Sequence, residues 1–210
     1  MRAFHLAALA VLAVLSALTA AAPLVAQESS RGCFAPATSP SCRSWWITEA
    51  GARYRVSDRY PDEQNIFFHY ALGWMRNIGP RMALGGEVFG GSDGHARGGV
   101  AARARRWLSP KASVDLVVGV HLVGNASSQE IKTGSPTVQL RVSRSDLVAI
   151  VASIDRLALR CDFGCEFVRD PNTTRTRAFL GLEVGSGLGV VGFAGTALGF
   201  VIATLLYTGN

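Results

Sequence analysis

Three sets of residues in this chain stand out as able to bind or react. The first is the four cysteines. Cys33 and Cys42 bracket a Pro/Ser/Thr-rich stretch, and Cys161 and Cys165 bracket Asp-Phe-Gly. Four thiolates can hold zinc, but eight and three intervening residues are unusual spacings for such a site. The second set is the histidines. His69, His95 and His121 lie beyond the first apolar stretch. His121 could approach Asp115 or Ser153, yet no nucleophile elbow and no metal-binding histidine pair accompanies it. No catalytic residue, metal or cofactor is therefore expected. The third set is a series of opposite charges at alternate positions. Glu49, Glu87, Asp115, Asp155 and Glu183 share a parity with Arg53, Arg55, Arg97, Arg103, Arg105, Arg141 and Arg177, and with His121. Brought to one side of a sheet, these groups could neutralise one another; left unpaired in a dry interior they would be costly.

The elements that must position these residues have a period of two. Val114, Leu116, Val118, Val120 and Leu122 alternate with Ser113, Asp115, Gly119 and His121. Thr137 to Ser143, Val148 to Asp155 and the stretches around 82–90 and 178–184 repeat the pattern. Strict alternation signals half-buried strands. Eight are predicted, over 44–57, 66–77, 81–91, 96–108, 112–125, 136–143, 147–160 and 174–186. Most are long enough to suit tilted membrane-spanning strands, which need about 9–11 residues. Tight turns at 78–80, 109–111 and 144–146 alternate with mostly longer connections at 58–65, 92–95, 126–135 and 161–173. Gly85-Gly86 and Gly98-Gly99 are strand glycines that permit bends.

Composition narrows the class. Of 210 residues, 49% are hydrophobic and 17% charged, and mean hydropathy is +0.23, which excludes a disordered chain. Net charge is +6, carried by 19 arginines and only two lysines, Lys111 and Lys132. No nucleic-acid-binding motif accompanies that charge. Residues 1–26 read as a cleaved signal peptide: Arg2, an apolar run from Leu6 to Ala22, then small residues. Residues 27–43 read as a periplasmic leader, 44–186 as the strand domain and 187–210 as an apolar C-terminal segment. Leu188 to Tyr207 carries no charge, and Gly195, Gly199 and Ala203 recur at helical spacing, so a helix is favoured over a further hairpin.

The stretch Tyr70-Ala-Leu-Gly-Trp-Met-Arg-Asn-Ile-Gly-Pro-Arg-Met-Ala-Leu-Gly-Gly-Glu-Val-Phe-Gly-Gly resembles a hairpin of the small outer-membrane β-barrel proteins of the OmpA/OmpX type. The resemblance covers about residues 44–186 and is one of pattern. It implies an eight-stranded antiparallel barrel in the outer membrane of a diderm bacterium, with a structural, adhesive or protective role. Short turns at one end and long loops at the other, with outward apolar and inward polar residues, fit that architecture. Trp45, Trp46, Tyr54, Phe67, Phe68, Tyr70, Trp74, Phe89 and Trp107 then form interfacial girdles. Glu49, Arg53, Glu87, Arg103, Arg105, Asp115, His121, Arg141, Asp155 and Glu183 form a lumen network that fills the interior and leaves no large pore. The cysteine pairs fall at opposite ends, so two local disulfides, 33–42 and 161–165, are expected. Arg59, Arg97, Lys132, Arg169 and Arg175 fall near the long-loop end, where guanidiniums could take lipopolysaccharide phosphates. Outer-membrane lipid is thus the expected partner. The competing reading is a periplasmic, lipocalin-like binding barrel tethered by residues 188–207. The two differ in which face of the sheet points outward.

Overall fold

A computed structural model describes residues 42–57, 64–126, 129–144, 147–160 and 174–185. The expected signal peptide, most of the leader and the apolar C-terminal segment lie outside the described residues. The described chain is all-β. Its strands are β1 (Ser44–Arg55), β2 (Ile66–Gly79), β3 (Met82–Ser92), β4 (Ala96–Ser109), β5 (Ala112–Ala126), β6 (Gln129–Ile131), β7 (Ser135–Arg144), β8 (Val148–Arg160) and β9 (Thr174–Gly185). Eight match the predicted strands to within two residues at each end. The ninth, β6, falls in the predicted 126–135 loop. It is three residues long and pairs with both β5 and β8.

Every pairing is antiparallel, and the sheet closes on itself. β1 pairs with β2, β2 with β3, β3 with β4, β4 with β5, β5 with β7, β7 with β8, β8 with β9, and β9 with β1 again. The seam runs from Glu49 opposite Gly185 to Arg55 opposite Phe179. Two of the tight turns are Pro80-Arg81 and Pro110-Lys111. Proline leads each, because its fixed φ suits the first central position of a turn. A register shift precedes both turns, at 77/79 and 107/109, and leaves Ile78 and Leu108 projecting outward. Gly94, with φ +96°, turns β3 into β4 at a backbone angle that other residues rarely adopt.

Burial follows the alternation. In β8 and β7 every second residue is buried, and the residues between are mostly exposed. The buried face holds Glu49, Arg53, Glu87, Arg103, Arg105, Asp115, Arg141, Asp155 and Glu183, and the exposed face holds Leu72, Val88, Leu140, Ile150, Ile154 and Leu182. Side chains on the buried face reach strands that are not neighbours in the ring. Arg53 on β1 donates to Gln139 on β7, and Arg103 on β4 donates to Glu49 on β1. The buried face is therefore the inside of the ring. Glycines let neighbouring strands approach closely. A Cβ on Gly99 would stand 2.0 Å from the Val120 carbonyl oxygen, and one on Gly181 would stand 2.3 Å from that of Ala52.

The aromatic girdles need correcting. Trp46, Tyr54, Phe68 and Trp74 are exposed as expected, but Trp45, Phe67, Phe89 and Trp107 are buried inside. Adjacent residues in a strand point to opposite faces. Trp45-Trp46 and Phe67-Phe68 must each send one ring inward.

Candidate functional site in the charged interior

The interior is stacked in layers. At the short-turn end, Cys42, Trp45, Ile47, Met75, Ala83 and Trp107 form an apolar cluster. Trp107 Nε1 donates to Asn77 Oδ1 at 3.0 Å, and Asn77 Nδ2 donates to the Cys42 carbonyl. Cys42 is buried and is not a free thiol. Cys33, Cys161 and Cys165 lie outside the described residues, so the expected pairings fall there too. The Arg105 guanidinium lies 4.9 Å from the Trp107 ring centroid and joins this cluster to the charges above it.

The middle of the ring holds a connected network of four carboxylates and four guanidiniums. Arg103 is its hub. Its Nη1 donates to Glu49 Oε2 at 2.8 Å and to Glu87 Oε2 at 3.1 Å, and its Nε donates to Asp115 Oδ2 at 3.0 Å. Arg105 grips the same Asp115 with Nε at 2.7 Å and Nη2 at 2.8 Å. Arg141 donates to Glu49 and lies 2.5 Å from Glu183 Oε2. Arg53 closes the set, donating from Nε to Glu183 Oε1 at 2.7 Å and from Nη1 to Ser153 Oγ at 3.1 Å. His69 Nδ1 lies 3.0 Å from Glu183 Oε1. Every member is buried. Ion pairs removed from water are tolerable only when geometry and extra hydrogen bonds compensate for lost hydration. Here Asp115, Glu49 and Glu183 each meet two or more cations.

A second cluster lies toward the longer connections. Asp93 Oδ2 takes Arg55 at 2.6 Å, Arg97 at 3.1 Å and Arg177 at 3.5 Å. Arg97 also lies 3.4 Å from Asp155 Oδ2, and Thr137 Oγ1 donates to Asp155 Oδ1 at 2.7 Å. His121 Nε2 is 3.7 Å from Asp155. Aromatic faces complete the layer. The Arg97 guanidinium sits 4.0 Å above the Phe67 centroid, and Arg55 sits 5.3 Å from that of Phe179.

All ten residues expected in the lumen network are therefore buried in the interior: eight in the central network, with His121 and Asp155 in the loop-end cluster. The expected lipopolysaccharide contacts fare differently. Arg97 is 3% exposed and belongs to the interior, so its place on the rim is corrected. Its parity with Arg103 and Arg105 already puts it inside. Lys132 is exposed and Arg175 half-buried, while Arg59 and Arg169 lie outside the described residues. Sequence reading missed His69, Gln139 and Ser153 as partners of the central network, although parity marks each as inward. It also missed Asp93, which sits beyond the end of β3 where alternation gives no direction. Among the described residues, no three His, Cys, Asp or Glu side chains are arranged to hold a metal ion. No family model matches the chain, and no curated protein matches it.

Proposed function

We propose that this protein is an integral outer-membrane β-barrel with a structural or surface-interaction role, its lumen closed by its own side chains. One observation carries the reading: the ring is polar inside and apolar outside. Large apolar side chains line its outer wall, with Val88 62%, Leu182 60% and Ile150 58% exposed. Water offers no reason for such a surface, and a lipid bilayer does. A lipocalin-like barrel reverses the pattern, keeping an interior open to one small ligand. The charged, filled interior supports the first reading over that one. The expected signal peptide and the resemblance to OmpA/OmpX-type proteins supply the outer membrane as the destination. Two local disulfides, 33–42 and 161–165, fit the same reading.

The test is electrophoresis of the membrane-extracted protein with and without boiling. A closed barrel resists cold detergent and changes mobility when boiled. A single unshifted band would sink the reading. Leu140→Arg places a charge on the outer wall and should cost about 2–4 kcal/mol near the bilayer midplane. It should abolish the cold-resistant band while export continues.

A further inference from the structure

Among the described residues, the strongest charged surface outside the interior is the rim at the short-turn end. Arg76 on β2, Arg106 on β4 and Arg144 on β7 project outward there. Arg81 and Lys111 occupy the two proline turns, and Arg43 leads into β1. All six are exposed, and among the described residues none of their side chains forms an ion pair or hydrogen bond. The cations are distributed around the ring rather than gathered on one side, because each short hairpin contributes at least one. The acids are placed elsewhere. Six of the described carboxylates are buried inside. The remaining one, Glu130, lies on β6 at the opposite end, and Asp146 of the third hairpin lies outside the described residues.

The same rim carries apolar side chains among the cations. Trp46 pairs across from Trp74, and Ile78, Leu108 and Leu147 project beside the turns. Tryptophans and basic residues sharing one level are what the headgroup zone of a bilayer accommodates. Guanidiniums match phosphate oxygens in a two-pronged geometry. A nucleic acid would be served by the charge, and its bases can stack on tryptophan, but it gains nothing from the interleaved Ile78, Leu108 and Leu147.

We infer that the short-turn rim binds the phosphate headgroups of anionic phospholipids in the leaflet it meets. This inference rests on the membrane-barrel reading above. It places a lipid-phosphate surface on the rim opposite the long-loop end.

The full chain would be reconstituted in vesicles of phosphatidylcholine mixed with phosphatidylglycerol, then extracted gently, and its retained lipids counted by native mass spectrometry. Wild type should retain phosphatidylglycerol well above its bulk share. The variant Arg76→Gln/Arg106→Gln/Arg144→Gln should lose that preference by about fivefold in affinity per arginine removed. Arg156→Gln, on the outer wall of β8 away from this rim, should leave it unchanged. Lipids retained in their bulk ratio by wild type would overturn the inference. So would an undiminished preference in a triple variant that keeps its cold-resistant band. Should the triple variant not fold, wild type alone decides: its preference must weaken as salt rises from about 0.05 to about 0.5 M, since exposed charges are screened over that range. Equal, arginine-dependent retention of a single-stranded oligonucleotide, with no lipid preference, would make the rim a general polyanion surface and overturn the lipid assignment. A wild type with no cold-resistant band would defeat the barrel reading, and this inference with it.

Discussion

In the central network, four guanidiniums meet four carboxylates, and the hub Arg103 touches Glu49, Glu87 and Asp115 at once. At the loop end, three guanidiniums converge on Asp93, and phenyl rings supply part of their surroundings. The first arrangement is a lattice in which Glu49, Asp115, Glu183, Arg103 and Arg141 each touch two or more opposite charges. The second is a hub of one acid with redundant bases. Buried charge alone does not say how much a residue matters. What matters is how many opposite charges are stranded when it goes.

Arg103→Met should therefore be the most damaging interior substitution. It takes a cation from three buried carboxylates at once: Glu87 loses the guanidinium it meets, while Glu49 is left with Arg141 and Asp115 with Arg105; breaking a buried pair in this way costs about 3–5 kcal/mol. Urea unfolding of the folded protein, followed by loss of the cold-resistant band, would measure it. Arg97→Met should cost less, about 1–2 kcal/mol: Asp93 keeps Arg55 and Arg177, and Asp155 loses its guanidinium but keeps the Thr137 hydroxyl, while the contact with the Phe67 face is lost. Equal losses for the two variants would break the contrast between lattice and redundant hub. Thr137→Val should have the smallest effect, about 1 kcal/mol, since it removes one hydrogen bond to Asp155 and leaves Arg97 in place. A loss as large as that of Arg103→Met would move the weight of the loop-end cluster from Asp93 to Asp155.

Much of this fold is written in a two-residue period. Strand ends came within two residues because alternation stops where pairing stops, as at Ser109 before Pro110. Parity also sorted the charges, placing Glu49, Arg53 and Glu183 inside together. What parity lacks is height. It cannot say that Arg97 lies one layer above Arg103, deep enough to be covered, rather than at an open rim. Residue type misled where it was weighed above parity: Trp45 and Trp107 look like girdle residues, yet both are buried in the apolar cluster at the short-turn end. Outside the strands the period vanishes, so the inward fold of Asp93 and the short strand β6 had no signal to announce them.

The seam between β1 and β9 has a consequence for assembly. Arg53 and Glu183, which meet across it, are 130 residues apart in sequence. Each hairpin can zip locally, but the seam must wait until almost the whole described chain is present. Contacts this distant in sequence slow folding, since the loop must close before they form. Until then, Glu49 and Glu183 lack partners that only the completed circle brings. An open sheet leaves these acids poorly neutralised, and the last strand to dock settles the charges of the first.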